Sequence, residues 1–293
     1  MLNAPLPMKH GTDPRQKVGV AEAKALSISR MRQKITYIRQ SRGEFFELIL
    51  GRLRGKPFFR HTAVNSADLN FGLTLVLPGI EAAGPFANAM VKGLSGVIPG
   101  AVQMFYWGIP FPEGYLPNLM WLRRNRSKAA ELTRIIMRYQ DEYPGRPIHI
   151  IANSGGAGPA LFAVESLPED RSIDGLVLLS GAISNTYNLS TALRRLRKGL
   201  FNFYSHRDWL VLGLGTTLFG TCDRKPRMSC GFVGFKQPTG LADAAPYTKL
   251  HQVPWNPSLI DDCGHWGTHS FSSSEQYIRR HVAPWIAGEE QNH

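Results

Sequence analysis

From residue 69 onward the apolar positions follow two rhythms that take turns along the chain. Short runs that are almost wholly apolar read as strands covered on both faces: Leu69 to Leu77, Ala101 to Trp107, the run opened by Ile148-His149-Ile150-Ile151, Ile173 to Leu179, Leu200 to Tyr204, and Leu250 to Trp255. Between them lie stretches with helical spacing. Ser127 to Tyr143 puts Ala130, Leu132, Ile135, Ile136 and Tyr139 on one side and stops at Pro144-Gly145. A last helix is expected from about Ser274 to Ile286, with Ser272 and Glu275 spaced as a capping box ahead of it. Such alternation predicts an α/β domain built on a mostly parallel central sheet with helices on both faces.

The first sixty residues do not share this pattern. Ile28, Met31, Ile35 and Ile38 fall on one helical face, while Lys24, Arg30, Arg32, Lys34, Arg39, Arg42, Arg52, Arg54 and Lys56 supply much of the net charge of +12. The chain therefore divides into a basic helical N-terminal arm, 1–60, and a main domain, 61–293. The preferred account packs the arm on the domain with its basic side in water; the alternative is peripheral contact with an anionic membrane. Nucleic acid is not expected as a partner, because no binding motif is present and no basic stripe is interleaved with aromatics.

Composition narrows the class further. A chain of 293 residues with 43% hydrophobic content can bury a large core without a second domain. Cys222, Cys230 and Cys263 are too few and too irregular for a disulfide framework, which points to a reducing, cytoplasmic setting or simply to buried thiols. The start of the chain has no apolar signal core, and nowhere do about eighteen apolar residues follow one another, so neither export nor membrane spanning is expected.

The chemistry concentrates where the strand Ile148-His149-Ile150-Ile151 runs into Ala152-Asn153-Ser154-Gly155-Gly156. Small residues around a serine at a strand-to-helix turn read as a nucleophile elbow, although the same pattern also suits a serine that merely caps the next helix. A serine hydroxyl needs a histidine to remove its proton, and the histidine needs a carboxylate to fix its tautomer. Asp208, in the loop after Leu200 to Tyr204, lies at the carboxyl edge of the sheet with Ser154, whereas Asp174 opens its strand at the opposite edge and Asp223 lies farther along a glycine-rich loop. For the histidine, the loop from Asp261 to Phe271 offers His265 and His269; His269, just upstream of the last helix, is favoured, and His206 is an outside candidate.

The order Ser, Asp, His, each after a strand, together with the Pro78-Gly79-Ile80 turn, the elbow and the Gly264-to-His269 loop, resembles the α/β-hydrolase superfamily, its esterase and lipase-like members in particular, from Leu69 to the last helix. The resemblance implies an α/β-hydrolase fold and a serine hydrolase that cleaves a carboxylic ester, or a related thioester or amide, through a Ser154-His269-Asp208 triad and an acyl-enzyme. It also implies an oxyanion hole made by the backbone N–H groups of Gly155 and Ile80. The sequence departs from the family pattern at Ala152, Asn153 and Pro78, and none of these removes a reacting atom. Only Ala182 to Lys198 separates two strands where a cap is often inserted, so little or no cap is expected, and an open or shallow site lined by Pro110 to Trp121.

The expected partner is a small-molecule ester with an apolar acyl chain, and no cofactor or metal is required. The rival from another class is a catalytically silent hydrolase-like fold that serves as a binding or scaffold protein. A dinucleotide site would need glycine at 161, where the chain has Leu161, and no Gly-Lys-Ser/Thr triplet makes a phosphate loop. A zinc site from Cys263, His265 and His269 lacks a fourth ligand.

Overall fold

Six strands make a single sheet: β1 (Leu73–Leu77), β2 (Ala101–Met104), β3 (Ile148–Asn153), β4 (Ile173–Leu179), β5 (Leu196–Tyr204) and β6 (Leu250–Pro254). The computed structural model describes residues 25, 27–32, 35, 36, 68–82, 84–109, 113–216, 220–237 and 244–288. The strand order is β2-β1-β3-β4-β5-β6, and every neighbouring pair is parallel. All carboxyl ends therefore meet at one edge, with the crossover connections lying over the two faces.

Alternation along each strand sorts the core into two layers. Leu73, Leu75 and Leu77 of β1 join Ile148, Ile150 and Ala152 of β3 on one face, where α3 (Leu122–Glu142), α4 (Ala157–Glu165), α5 (Ser190–Arg194) and α6 (Cys230–Val233) supply Leu132, Ile136, Leu161, Leu193 and Cys230. On the other face, Val76, Ile151, Val177, Phe201 and Phe203 meet α1 (Pro85–Leu94), α7 (Ser258–Cys263) and the C-terminal helices. β1, β3 and β4 are buried along their whole length, as a doubly covered parallel sheet requires.

Local differences from the sequence reading have physical causes. Asp68–Phe71 form a 3-10 turn, and β1 begins only after Gly72, whose φ of +142° ends it. The segment taken as a loop from Pro110 to Trp121 contains α2 (Tyr115–Met120), and α3 starts at Leu122 rather than near Ser127. β5 begins four residues early, at Leu196. The capping box does not form: Ser272 Oγ donates to the His269 carbonyl at 2.8 Å, and the helix α8 (Glu275–Tyr277) starts after Ser274 without a side-chain cap. That last helix also changes pitch. A π-helical stretch, Ile278–Val282, lies between α8 and α9 (Ala283–Ala287), and Pro284 has no N–H to give to the carbonyl four residues before it.

By compactness the chain falls into two units, 1–40 and 41–293. In the first, residues 25, 27–32, 35 and 36 are helical, and Ile28, Met31 and Ile35 are exposed. The expected end of the arm at residue 60 lies outside the described residues, as does Ile38. Among the described residues no helix is long and apolar enough to cross a membrane.

The layer under α1 is tight enough to make a prediction. A Cβ on Gly93 would stand 2.7 Å from Ile278 Cβ and 2.8 Å from the Glu275 carbonyl oxygen. Gly93→Ala is expected to lose about 1–3 kcal/mol of stability through overpacking, read as a lower urea midpoint with unchanged slope.

Candidate active site

The geometry starts from a strained residue. β3 ends at Asn153, and Ser154 takes φ +50° before a one-turn 3-10 helix, Ser154–Gly156, leads into α4. A left-handed non-glycine residue costs about 1–3 kcal/mol and persists only where its surroundings over-determine it. Here they do. The Ser154 carbonyl accepts the Ala182 N–H at 2.9 Å from the connection after β4. A Cβ on Gly156 would stand 2.6 Å from the Pro78 carbonyl oxygen and 3.0 Å from that of Leu77, and one on Gly155 would stand 2.4 Å from Ile80 Cγ2. The turn is thus wedged against the end of β1, which is why its glycines cannot be enlarged.

Two loops from the same edge bring the other groups to it. Asp208, 3% exposed, lies where β5 gives way to a π-helical stretch, Trp209–Gly215, and its carbonyl accepts the Leu212 and Gly213 N–H groups at 3.1 and 3.2 Å. His269 opens a 3-10 turn, His269–Ser273, after β6 and α7. His269 Nδ1 lies 2.6 Å from Asp208 Oδ2, and His269 Nε2 lies 2.9 Å from Ser154 Oγ. With the Nδ1 proton given to the carboxylate, Nε2 is left to accept the serine hydroxyl proton. Burial works to lower the imidazole pKa, but the Asp208 carboxylate and, more weakly, Glu81 outweigh it and hold it above its ordinary value.

Pro78 to Ala82 form the facing turn. Ala82 N–H donates to the Gly79 carbonyl at 3.0 Å, and Ile80 N lies 3.5 Å from where a Cβ on Gly155 would be. The two backbone amides expected to form an oxyanion hole are therefore neighbours. Three side chains hold this turn. Trp107 Nε1 donates to the Pro78 carbonyl and Asn118 Nδ2 to the Ile80 carbonyl, each at 2.8 Å, while the Gly79 N–H donates to Glu81 Oε1 at 3.2 Å. Arg124 ties the first two together, donating to the Trp107 carbonyl at 2.6 Å and to Asn118 Oδ1 at 3.3 Å. Desolvation raises the Glu81 pKa against the pull of the turn's own amides and of His269.

An all-parallel sheet, a positive-φ serine between strand and helix, and a carboxylate and an imidazole on later loops of the same edge settle the architecture. The chain has the α/β-hydrolase fold. Solved structures similar to it include a putative esterase from Staphylococcus aureus, at 11% identity and TM-score 0.41, with 75% of this chain and 76% of that one covered. Lipase B from Aspergillus fumigatus is similar at 10% identity and TM-score 0.47, with 77% and 55% covered. Est1E from Butyrivibrio proteoclasticus is similar at 11% identity and TM-score 0.42, with 74% and 88% covered. No protein-family model matches the chain, and no curated protein matches it in sequence.

The remaining candidates are placed elsewhere in this hydrolase fold. His265 is 4% exposed, accepts the Gly267 N–H at Nδ1 over 3.1 Å, and stands edge-on to Tyr277 at 4.4 Å. His206 lies against Tyr204 and Phe232. Asp174 binds the Ile148 N–H and Arg197 at the amino edge, and Asp223 binds the Ser184 N–H and hydroxyl and the Thr221 hydroxyl. Cys263, His265 and His269 do not converge, since both ring nitrogens of His269 are engaged. The donors that do lie together among the described residues, within 4.8 Å, belong to Asp262, Cys263 and His281, where Arg280 already pairs with Asp262 at 2.8 Å.

The expected open site is corrected in one respect. Ser154 is only 5% exposed. No helical domain is inserted between β4 and β5, where α5 is the only helix. Leu119 of α2 and Leu212 of the π-helical stretch pack in one small cluster with Cys222 and with Ala182, whose N–H is bonded to the Ser154 carbonyl, and Ile80 packs against it. The sequence reading gave no site role to Asn118 or to Glu81, which it placed only in the turn after the first strand. Glu81 directly follows the Ile80 turn, and Asn118 is the one polar residue of Tyr-Leu-Pro-Asn-Leu-Met, and both are signals that could have marked them.

His265 supplies a test of this arrangement. Burial lowers its pKa to about 3, with His281 adding to the effect, and burial lowers that of His149 to about 4. The unfolded chain takes up these protons near pH 6.5 while the folded chain does not, so stability falls as pH drops below 6.5. His265→Asn is expected to reduce the slope of stability between pH 6 and 5 by about 1 kcal/mol per pH unit, measured by urea denaturation at each pH.

Proposed function

We propose that the chain is a serine hydrolase that cleaves a carboxylic ester, or a related thioester or amide, through an acyl-enzyme. The observation that carries this reading is the unbroken line from Ser154 Oγ through His269 to Asp208, 2.9 and 2.6 Å long, at a strained strand-to-helix turn. His269 takes the Ser154 proton as the oxygen attacks the carbonyl carbon, and the new oxyanion points at the N–H groups of Gly155 and Ile80. His269 then gives that proton to the leaving alcohol. A water molecule attacks the acyl-enzyme with His269 again as base, releasing the acid and restoring Ser154. Asp208 keeps the imidazole in the reactive tautomer and steadies its charge.

An apolar acyl chain of small or medium length fits the surroundings, since Leu119, Leu212 and Ile80 pack beside the turn. The silent scaffold is the other reading. A panel of p-nitrophenyl esters separates the two: the wild type is expected to turn over at least one chain length, and Ser154→Ala and His269→Ala to lose about 10⁴-fold or more in kcat, while His265→Ala keeps its turnover. A wild type inert on every ester, or a Ser154→Ala variant as active as the wild type, overturns the hydrolase reading.

The pH profile follows from the groups around His269. The base works only when neutral, and its pKa is raised, so kcat/KM is expected to fall on the acid side from a point above the ordinary histidine value of about 6.5. Glu81→Gln removes one carboxylate that holds the proton on, so its acid limb is expected to move to lower pH, checked by kcat/KM on one soluble ester between pH 5 and 9.

A further inference from the structure

The small cluster beside the serine turn has an outer side as well as an inner one. α2 and the π-helical stretch turn Leu119 and Leu212 inward to a common cluster, and they turn Leu116, Met120, Trp209, Leu210 and Val211 outward. Trp209 and Leu210 are each 61% exposed. Apart from Phe71, every exposed large apolar side chain described after residue 68 lies in the connections that leave the carboxyl ends of β2 and β5. Scattered surface leucines need no explanation, but apolar exposure gathered over one edge does.

The charge on the same connection has one sign. Between residues 205 and 229 both described carboxylates are turned inward, Asp208 to His269 and Asp223 to Ser184 and Thr221. The exposed charges there are Arg207, Arg224, Lys225 and Arg227. Tryptophan and aliphatic side chains beside arginine and lysine match the boundary of an anionic lipid layer, where the apolar groups enter the acyl region and the cations meet the headgroups.

We propose that this face, the outer side of α2 together with Arg207 to Val211 and Arg224 to Met228, docks on an anionic lipid surface and sets the Ser154 site against it. The docking does not need the chemistry. Resting on the hydrolase reading, it adds that the ester is a lipid acyl ester presented at an interface rather than one free in water.

The test uses the full chain carrying Ser154→Ala, so that nothing is hydrolysed and the N-terminal arm is the same in every sample. Binding to phosphatidylcholine vesicles is compared with binding to vesicles that also contain phosphatidylglycerol, by co-sedimentation. The expected result is binding that requires phosphatidylglycerol, weakens as salt is raised, and falls at least tenfold in Trp209→Asp/Leu210→Asp. In Lys225→Glu/Arg227→Glu it falls by about fivefold or more for each charge reversed. In the Ser154 background the two surface double variants should hydrolyse a soluble p-nitrophenyl ester as the wild type does, which shows that their folds are intact. No vesicle binding, binding without phosphatidylglycerol, or binding that both variants leave unchanged overturns the proposal. So does a wild-type dimer that Trp209→Asp/Leu210→Asp converts to a monomer, because the face would then belong to a second copy. A wild type that cleaves no ester yet binds vesicles as described sinks the hydrolase reading and leaves the docking surface standing.

Discussion

Everything at the site depends on the close approach of the serine turn to the end of β1. Ser154 can hold φ +50° only because the chain on either side is fixed: β3 pairs with β1 and β4, and the Ser154 carbonyl is bonded to Ala182. Gly156 lies so near the Leu77 and Pro78 carbonyls that no side chain fits between them. This contact does two things at once. It exposes the serine hydroxyl to His269, and it brings the Gly155 amide beside that of Ile80. Parallel pairing of β1 and β3 is what makes the approach reproducible, since both strands end at the same edge.

The electrostatics are built around one imidazole. Burial alone would strip His269 of its proton affinity, as it does for His265, whose pKa falls to about 3. The difference is the company each keeps. His265 has a backbone amide and an aromatic ring, which favour the neutral form, while His269 has Asp208 at 2.6 Å and Glu81 in the facing turn. The same burial therefore gives a ring held neutral in one case and an imidazole held above its ordinary value in the other. Trp107, Asn118 and Arg124 act at one remove: they hold the Pro78 and Ile80 carbonyls, and with them the direction of the Ile80 amide.

Much of this was legible in the chain because it is written in short-range terms. Ile173 to Leu179 reads as a strand and forms one with those limits, since apart from Asp174 and Gly175 it is an unbroken run of aliphatic residues. The small residues around Ser154 mark a tight turn for the same reason. Other features depend on partners far away in sequence. The Ser272 and Glu275 spacing suggested a capping box, but the Ser272 hydroxyl is drawn to the His269 carbonyl by a loop fixed through Trp255 and Gly267. α2 went unread because Pro110, Pro112 and Pro117 suggest a loop, whereas Asn118 anchors the segment to the Ile80 turn across 38 residues. The packing of Leu119 with Leu212 was likewise invisible, because neither segment has a periodic apolar pattern of its own.

The silent-scaffold reading has to account for what this site costs. A serine at positive φ stores about 1–3 kcal/mol. A carboxylate 3% exposed whose described side-chain partner is an imidazole, and a second carboxyl whose pKa is pushed up by desolvation, add further penalties that neutral residues of similar size would not carry. Together these are an appreciable share of the 5–15 kcal/mol by which a folded domain is usually stable. A binding surface would gain nothing from them, because the groups concerned are buried and face one another rather than any partner. A reaction would gain from each: strain that presents the hydroxyl, a buried carboxylate that fixes the tautomer, and burial that strengthens the interaction between the charges. The cost is concentrated where chemistry, and not recognition, would use it.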